Sequence, residues 1–130
     1  MNDNDFNEQR TKEVLIKYGF DFDNVPRNEI RQLINDEIQN NVFFDSSGYG
    51  CYSGSSEYFR VLCGYLFCIG NPTDIDIIEK TKYLINMDIG TMIDWEWVES
   101  LKGVQDETIR SRYELIIDFI DYYQPYIRQT

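Results

Sequence analysis

Glu114, Asp118 and Asp121 stand at i, i+4 and i+7 within the stretch from Gln105 to Tyr123. On a helix that spacing gathers three carboxylates on one side, where they can hold a divalent cation if another helix adds oxygens, or can form a solvated face. At 100 degrees per residue Glu107 joins them, Arg110 lies at their border, and the row faces away from a stripe of Ile109, Ile116 and Ile120. Like charges at i,i+4 cost an isolated helix roughly a few tenths of a kcal/mol. Folding therefore gains nothing from the row. A fixed line of anions can instead imitate a nucleic-acid backbone to a protein that binds one.

A second constellation is "MIDWEWVESL", where helical spacing puts Ile93, Trp97, Val98 and Leu101 together and leaves Trp95 on the other side beside Glu96 and Glu99. A Trp ringed by acids has the make-up of an interface anchor; the competing reading is that another helix covers it. Asp76, Glu79 and Tyr83 repeat the aromatic-plus-acid pattern more weakly.

Other chemistries are closed or thinly supported. The chain has no histidine, so Ser-His and Cys-His nucleophiles are excluded. Cys63 and Cys68 belong to the most apolar segment, where burial blunts a thiol, and with Cys51 they show neither zinc spacing nor a disulfide framework. "DSSGYGCYSGSSEY", residues 45–58, sets Gly48, Gly50 and Gly54 close to a dinucleotide fingerprint. No βαβ pattern surrounds it and no lysine follows, so it reads as a connector, with Tyr49 and Tyr52 as contact residues if exposed. No cofactor is expected.

These residues need elements to position them, and helical periodicity supplies them. Asp5 to Tyr18 carries Phe6, Val14, Leu15 and Tyr18 on one side and ends at Gly19; Pro26 opens a second helix with Ile30, Leu33, Ile34 and Ile38. "SSEYFRVLCGYLFCIG" is apolar nearly all round, a central buried helix whose Gly64 implies close packing. Thr73 can cap a helix bearing Ile77, Ile78, Leu84 and Ile85, Gly90 and Thr91 interrupt the chain before a short fifth helix, and Gln105 to Tyr123 sets Ile109, Tyr113, Ile116, Ile120 and Tyr123 on one face and is closed by Pro125. No period-two strand emerges. The expectation is a single all-α domain over residues 1–130, of five or six helices.

The 130 residues carry 23 acids against 12 bases, a net charge of -11, with ten Tyr, eight Phe and two Trp for the core. Such charge disfavours direct contact with phosphate backbones and favours a basic protein partner. An odd cysteine count suits a reducing cytoplasm, "MNDNDFNEQR" has no signal-peptide pattern, and the run from Val61 to Ile69 is too short to span a bilayer.

The stretches "YFRVLCGYLFCIGNP" and "YLINMDIGTMIDWEWVESL", on a small, acidic, helical chain without a catalytic constellation, resemble bacterial immunity proteins of the polymorphic or contact-dependent growth inhibition toxin systems. That resemblance implies tight, stoichiometric binding of one cognate toxin domain, often a nuclease, without turnover. Two alternatives stay open: a carboxylate-metal hydrolase or nucleotide-processing enzyme using Glu114, Asp118 and Asp121, and an acidic nucleic-acid mimic aimed at a DNA-binding protein.

Overall fold

A computed structural model describes residues 3–47, 55–84 and 87–128. Their helices are α1 (Asp3–Tyr18), α2 (Arg27–Ser47), α3 (Ser55–Ile69), α4 (Ile75–Leu84), α5 (Met87–Met92), α6 (Trp95–Leu101) and α7 (Arg112–Arg128), with 3-10 turns at Phe22–Asn24 and Pro72–Asp74. No strand occurs among the described residues. Among the described residues the fold is all-α, with seven helices where five or six were expected; the additional one is α5.

The organising element is α3. Residues Val61 to Cys68 are all buried, so this helix has no solvent face along two turns and must be wrapped on every side. It packs against α1, α2, α4, α5 and α6, and α7 closes the remainder by laying Phe119 over Gly64. A Cβ at residue 64 would lie 2.2 Å from Cε2 of Phe119 and 3.2 Å from Cη2 of Trp97, so the absence of a side chain is what admits both rings. Phe119 in turn touches Phe20, Phe22, Tyr65, Trp97 and Tyr123 edge-on or tilted. The hydroxyl of Tyr65 donates to the Gly19 carbonyl at 2.7 Å, just beyond α1, which satisfies a buried polar group and fixes the end of that helix.

Two buried carboxylates tie the outer helices to this centre. Glu37 on α2 is 2% exposed and takes a bidentate pair from Arg10 on α1, at 2.7 and 2.8 Å, while the same guanidinium covers the Tyr58 ring of α3. Asp74, fully buried, receives Arg27 and Arg31 from consecutive turns of α2. Breaking either pair would strand a buried charge, so they fix which helix meets which.

Several local expectations change. Asn71, not Thr73, caps the turn before α4: its Oδ1 accepts from the Thr73 amide at 3.0 Å. Gly90 and Thr91 do not interrupt the chain but lie within α5, and Gly90 is needed because a Cβ there would meet the Lys82 carbonyl at 2.5 Å. The break falls later, where Asp94 caps α6 by accepting from the Glu96 amide at 2.8 Å. Residues 105–111 are a loop rather than the first turns of the last helix. Gly103 turns left-handed after α6, Asp106 Oδ1 takes the Thr108 amide at 2.9 Å, and side-chain bonds of this kind compete with helical ones. Pro125 does not end α7, which runs on to Arg128 because Tyr126 and Ile127 still pack on the core.

Adding a methyl at the tightest contact should be costly. Gly64→Ala is expected to lower unfolding free energy by about 1–3 kcal/mol in urea titrations, and trimming the opposing ring with Phe119→Leu should make the added methyl less harmful. Strictly additive effects in the double variant would count against the Phe119–Gly64 contact.

Candidate partner-binding surface

Trp95 and Trp97 separate as their spacing suggested. Trp97 is 2% exposed and stacks on Phe67 at 5.9 Å, while Trp95, opening α6, is 47% exposed. Ile93 and Val98 are buried with Trp97, and Leu101 packs against the same core. On α4, Tyr83 is well exposed and Asp76 lies on the surface in the first turn; Glu79, half-buried, receives Lys102 at 2.7 Å and so links α4 to α6. Lys102 also approaches Glu99 at 3.8 Å. Tyr49 and Tyr52 lie outside the described residues.

The acid row on the last helix is reorganised. Glu114 and Asp121 are exposed on α7 and make no ion pair among the described residues. Glu107, also exposed, sits in the preceding loop and not on the helix. Asp118 is engaged: Arg110 pairs with it, and with Asp94 and Glu96 at 2.9 Å each. The Arg110 amide donates a further 2.7 Å bond to Glu96 Oε2, so one residue stitches the loop to the start of α6 and the middle of α7. Burial acts to raise the Glu96 pKa, but the hydrogen bonds and charge of Arg110 outweigh it and hold the carboxyl below its ordinary 4.5. Glu96 is thus a structural acid. Among the described residues no three Asp, Glu or Cys side chains come together to hold a metal ion, and Glu114, Asp118 and Asp121 do not form such a group.

The core face of α7 is also turned from the expected one. Leu115, Phe119 and Tyr123 are buried, Ile116 and Ile120 flank them, and Tyr113, placed by spacing on the apolar side, is 74% exposed. The stripe of isoleucines is the more obvious pattern in the sequence. Phe119 wins because only it lies over the notch at Gly64.

Most bases are spent holding the fold together. Besides Arg10, Arg27, Arg31, Lys102 and Arg110, the Arg112 guanidinium donates to the Phe67 and Cys68 carbonyls at 2.8 Å, closing the C-terminal end of α3. Lys82 donates to the Gly90 and Ile93 carbonyls at the end of α5 at 2.6 and 2.5 Å. Lys12, Lys17, Lys80 and Arg128 are left without an ion pair or a carbonyl among the described residues, as is Arg60, which lies instead over the Tyr122 ring at 4.1 Å. The acids that remain unpaired, with Trp95, Tyr83 and Tyr113, face outward. Cys63 and Cys68 stay inside, where burial pushes both thiols up to about 12, so neither is a nucleophile near neutrality.

The loop clamp was legible only as an arginine at the border of an acid arc. Arg110 contacts residues eight to sixteen positions away in sequence, a distance at which periodicity carries no signal. Compared with family models, curated proteins and solved structures, the chain gives no match.

The clamp should register in acid unfolding. Because the folded pKa of Glu96 is depressed, its contribution is present above 4.5 and lost as pH falls through the lower folded value. Arg110→Met is expected to cost about 1 kcal/mol at neutral pH, and the gap to wild type in urea midpoint should close in acid. A gap that does not change with pH would mean the carboxylates contribute nothing through Arg110.

Proposed function

We propose that this chain is an immunity-type inhibitor that occupies a cognate bacterial toxin domain of the nuclease kind, one molecule to one, in the cytoplasm and without turnover. The observation that carries the reading is the division of charge: bases are consumed in clamps and helix ends, and unpaired acids share the surface with large exposed aromatics. An acidic exterior attracts a cationic domain at long range and raises its association rate, while aromatic side chains, once desolvated, slow release. Trp95 is the central anchor, with Tyr83 and Tyr113 as further aromatic contacts. Asp76, Glu107, Glu114 and Asp121 supply the surrounding free charge, and Glu79 and Glu99 flank it from their places beside Lys102. Glu96 and Asp118 act indirectly, by holding the loop that presents Glu107. A domain that binds nucleic acid is the natural cationic target, and an inhibitor bearing acids at its surface competes for the same basic groove.

The test is genetic and then kinetic. The reading frame preceding this one should encode a chain ending in a basic domain that arrests growth when expressed alone, and co-expression of this protein should restore growth. With the purified pair, Trp95→Ala should weaken binding by about 2 kcal/mol, seen mostly as faster dissociation. Glu114→Gln with Asp121→Asn should slow association at low salt and leave dissociation nearly unchanged. A harmless neighbour, or affinity indifferent to both changes, would defeat the reading.

A further inference from the structure

The loop between α6 and α7 is fastened along its whole length. The Gly103 and Val104 amides donate back to the Ser100 and Glu99 carbonyls at 3.0 and 3.1 Å, the Ile109 amide reaches the Asp106 carbonyl at 3.0 Å, and Arg110 ties the far end to both helices. This shape is set before any partner arrives, which lowers the ordering cost of binding. Between the loop and the helix ends lies an open groove of about 590 Å³, lined among others by Ser100, Val104, Asp106, Glu107 and Ile109. Val104 is 41% exposed and Ile109 half-buried, so apolar surface stands beside the two carboxylates.

The neighbourhood stays negative after its clamps are counted. Arg110 and Arg112 line the groove, and Arg60 lies across the neighbouring cavity that Arg110 also lines; against these three guanidinium groups stand five carboxylates, Asp94, Glu96 and Asp118 on Arg110, and Asp106 and Glu107 in the lining. Arg112 is turned to the Phe67 and Cys68 carbonyls, so neither base of the lining is free for Asp106 or Glu107, which are exposed and make no ion pair among the described residues. Asp106 Oδ1 takes the Thr108 amide and hydroxyl at 2.9 and 3.0 Å, and these bonds hold the carboxyl below its ordinary 3.8. Its Oδ2 has no partner among the described residues. We infer that the groove receives a short extended segment of the basic protein partner, one arginine of which sets its guanidinium on Asp106 and Glu107 and its methylene stem on Val104 and Ile109. A guanidinium fits paired carboxylates, and a long stem covers apolar surface that a hydrated ion would leave wet. The inference takes its partner from the inhibitor reading and adds a second contact, at the opposite end of α6 from Trp95.

The probe is the blocked tripeptide alanyl-arginyl-alanine amide, titrated into the nitrogen-15-labelled full chain. Saturable shifts are expected at the Val104, Glu107 and Ile109 amides, and none when citrulline, which keeps the shape and removes the charge, replaces the arginine. Asp106→Asn retains an acceptor for the Thr108 amide, and combined with Glu107→Gln it should weaken peptide binding about tenfold or more. If that double variant loses helical circular dichroism, Glu107→Gln alone decides, because Glu107 makes no hydrogen bond or ion pair among the described residues. No saturable shift, an equal response to the citrulline peptide, or unchanged affinity in the folded variant would overturn the inference. Failure here and failure of the inhibitor reading are separable. Peptide binding with a harmless neighbouring gene would keep the groove and remove the toxin, whereas a toxin whose affinity falls with Trp95→Ala but ignores the Asp106 and Glu107 changes would remove the groove alone.

Discussion

The contact of Phe119 with Gly64 sets the terms for the rest of the fold. A helix buried as completely as α3 can receive neighbours on every side only if one of its faces is cut down, and the missing Cβ at residue 64 makes that cut. Once Phe119 occupies it, the rotation of α7 about its own axis is fixed. Leu115 and Tyr123 must point inward with it, and Glu114, Ile117 and Asp121 must point outward. The exposed surface of α7 is therefore a consequence of a single ring over a single glycine.

Charge is sorted by a related logic. Helix ends buried against neighbours leave carbonyls that need donors, and loops that cross the surface need anchoring; long basic side chains satisfy both at modest desolvation cost. Arg112 at the end of α3, Lys82 at the end of α5 and Arg110 across the α6 and α7 loop each serve this way. With few bases to begin with, their internal use leaves a surface more negative than composition alone conveys. Structural demand and the negative charge of the surface are thus linked through the same residues.

That linkage changes the roles of individual acids. Asp118 and Glu96 hold Arg110, Asp74 and Glu37 hold arginines in the interior, and Glu57 is held by tyrosine hydroxyls. A helical wheel treats all acids on an arc as equivalent. The folded chain makes some of them structural and leaves others, such as Glu114 and Asp121, to face solvent. Arg60 is the complementary case, a base enclosed by rings while its nearby acid is otherwise engaged.

Periodicity and composition by themselves determined the helical class, the central place of α3, the close packing at Gly64 and the placing of Trp95 and Trp97 on opposite sides of one helix. Those features depend on residues within a few turns of one another, where spacing translates directly into a shared face. The limits of α7, the continuity of α5 through Gly90, the register that exposes Tyr113, and the capture of Asp118 by Arg110 were decided only by tertiary structure. Each arises from a partner distant in sequence: a ring seated at a notch, a carbonyl approached by a glycine, a guanidinium reaching between helices. A wheel can rank the faces of one helix by apolarity, but it holds no information about the shape of the surface that face must fit.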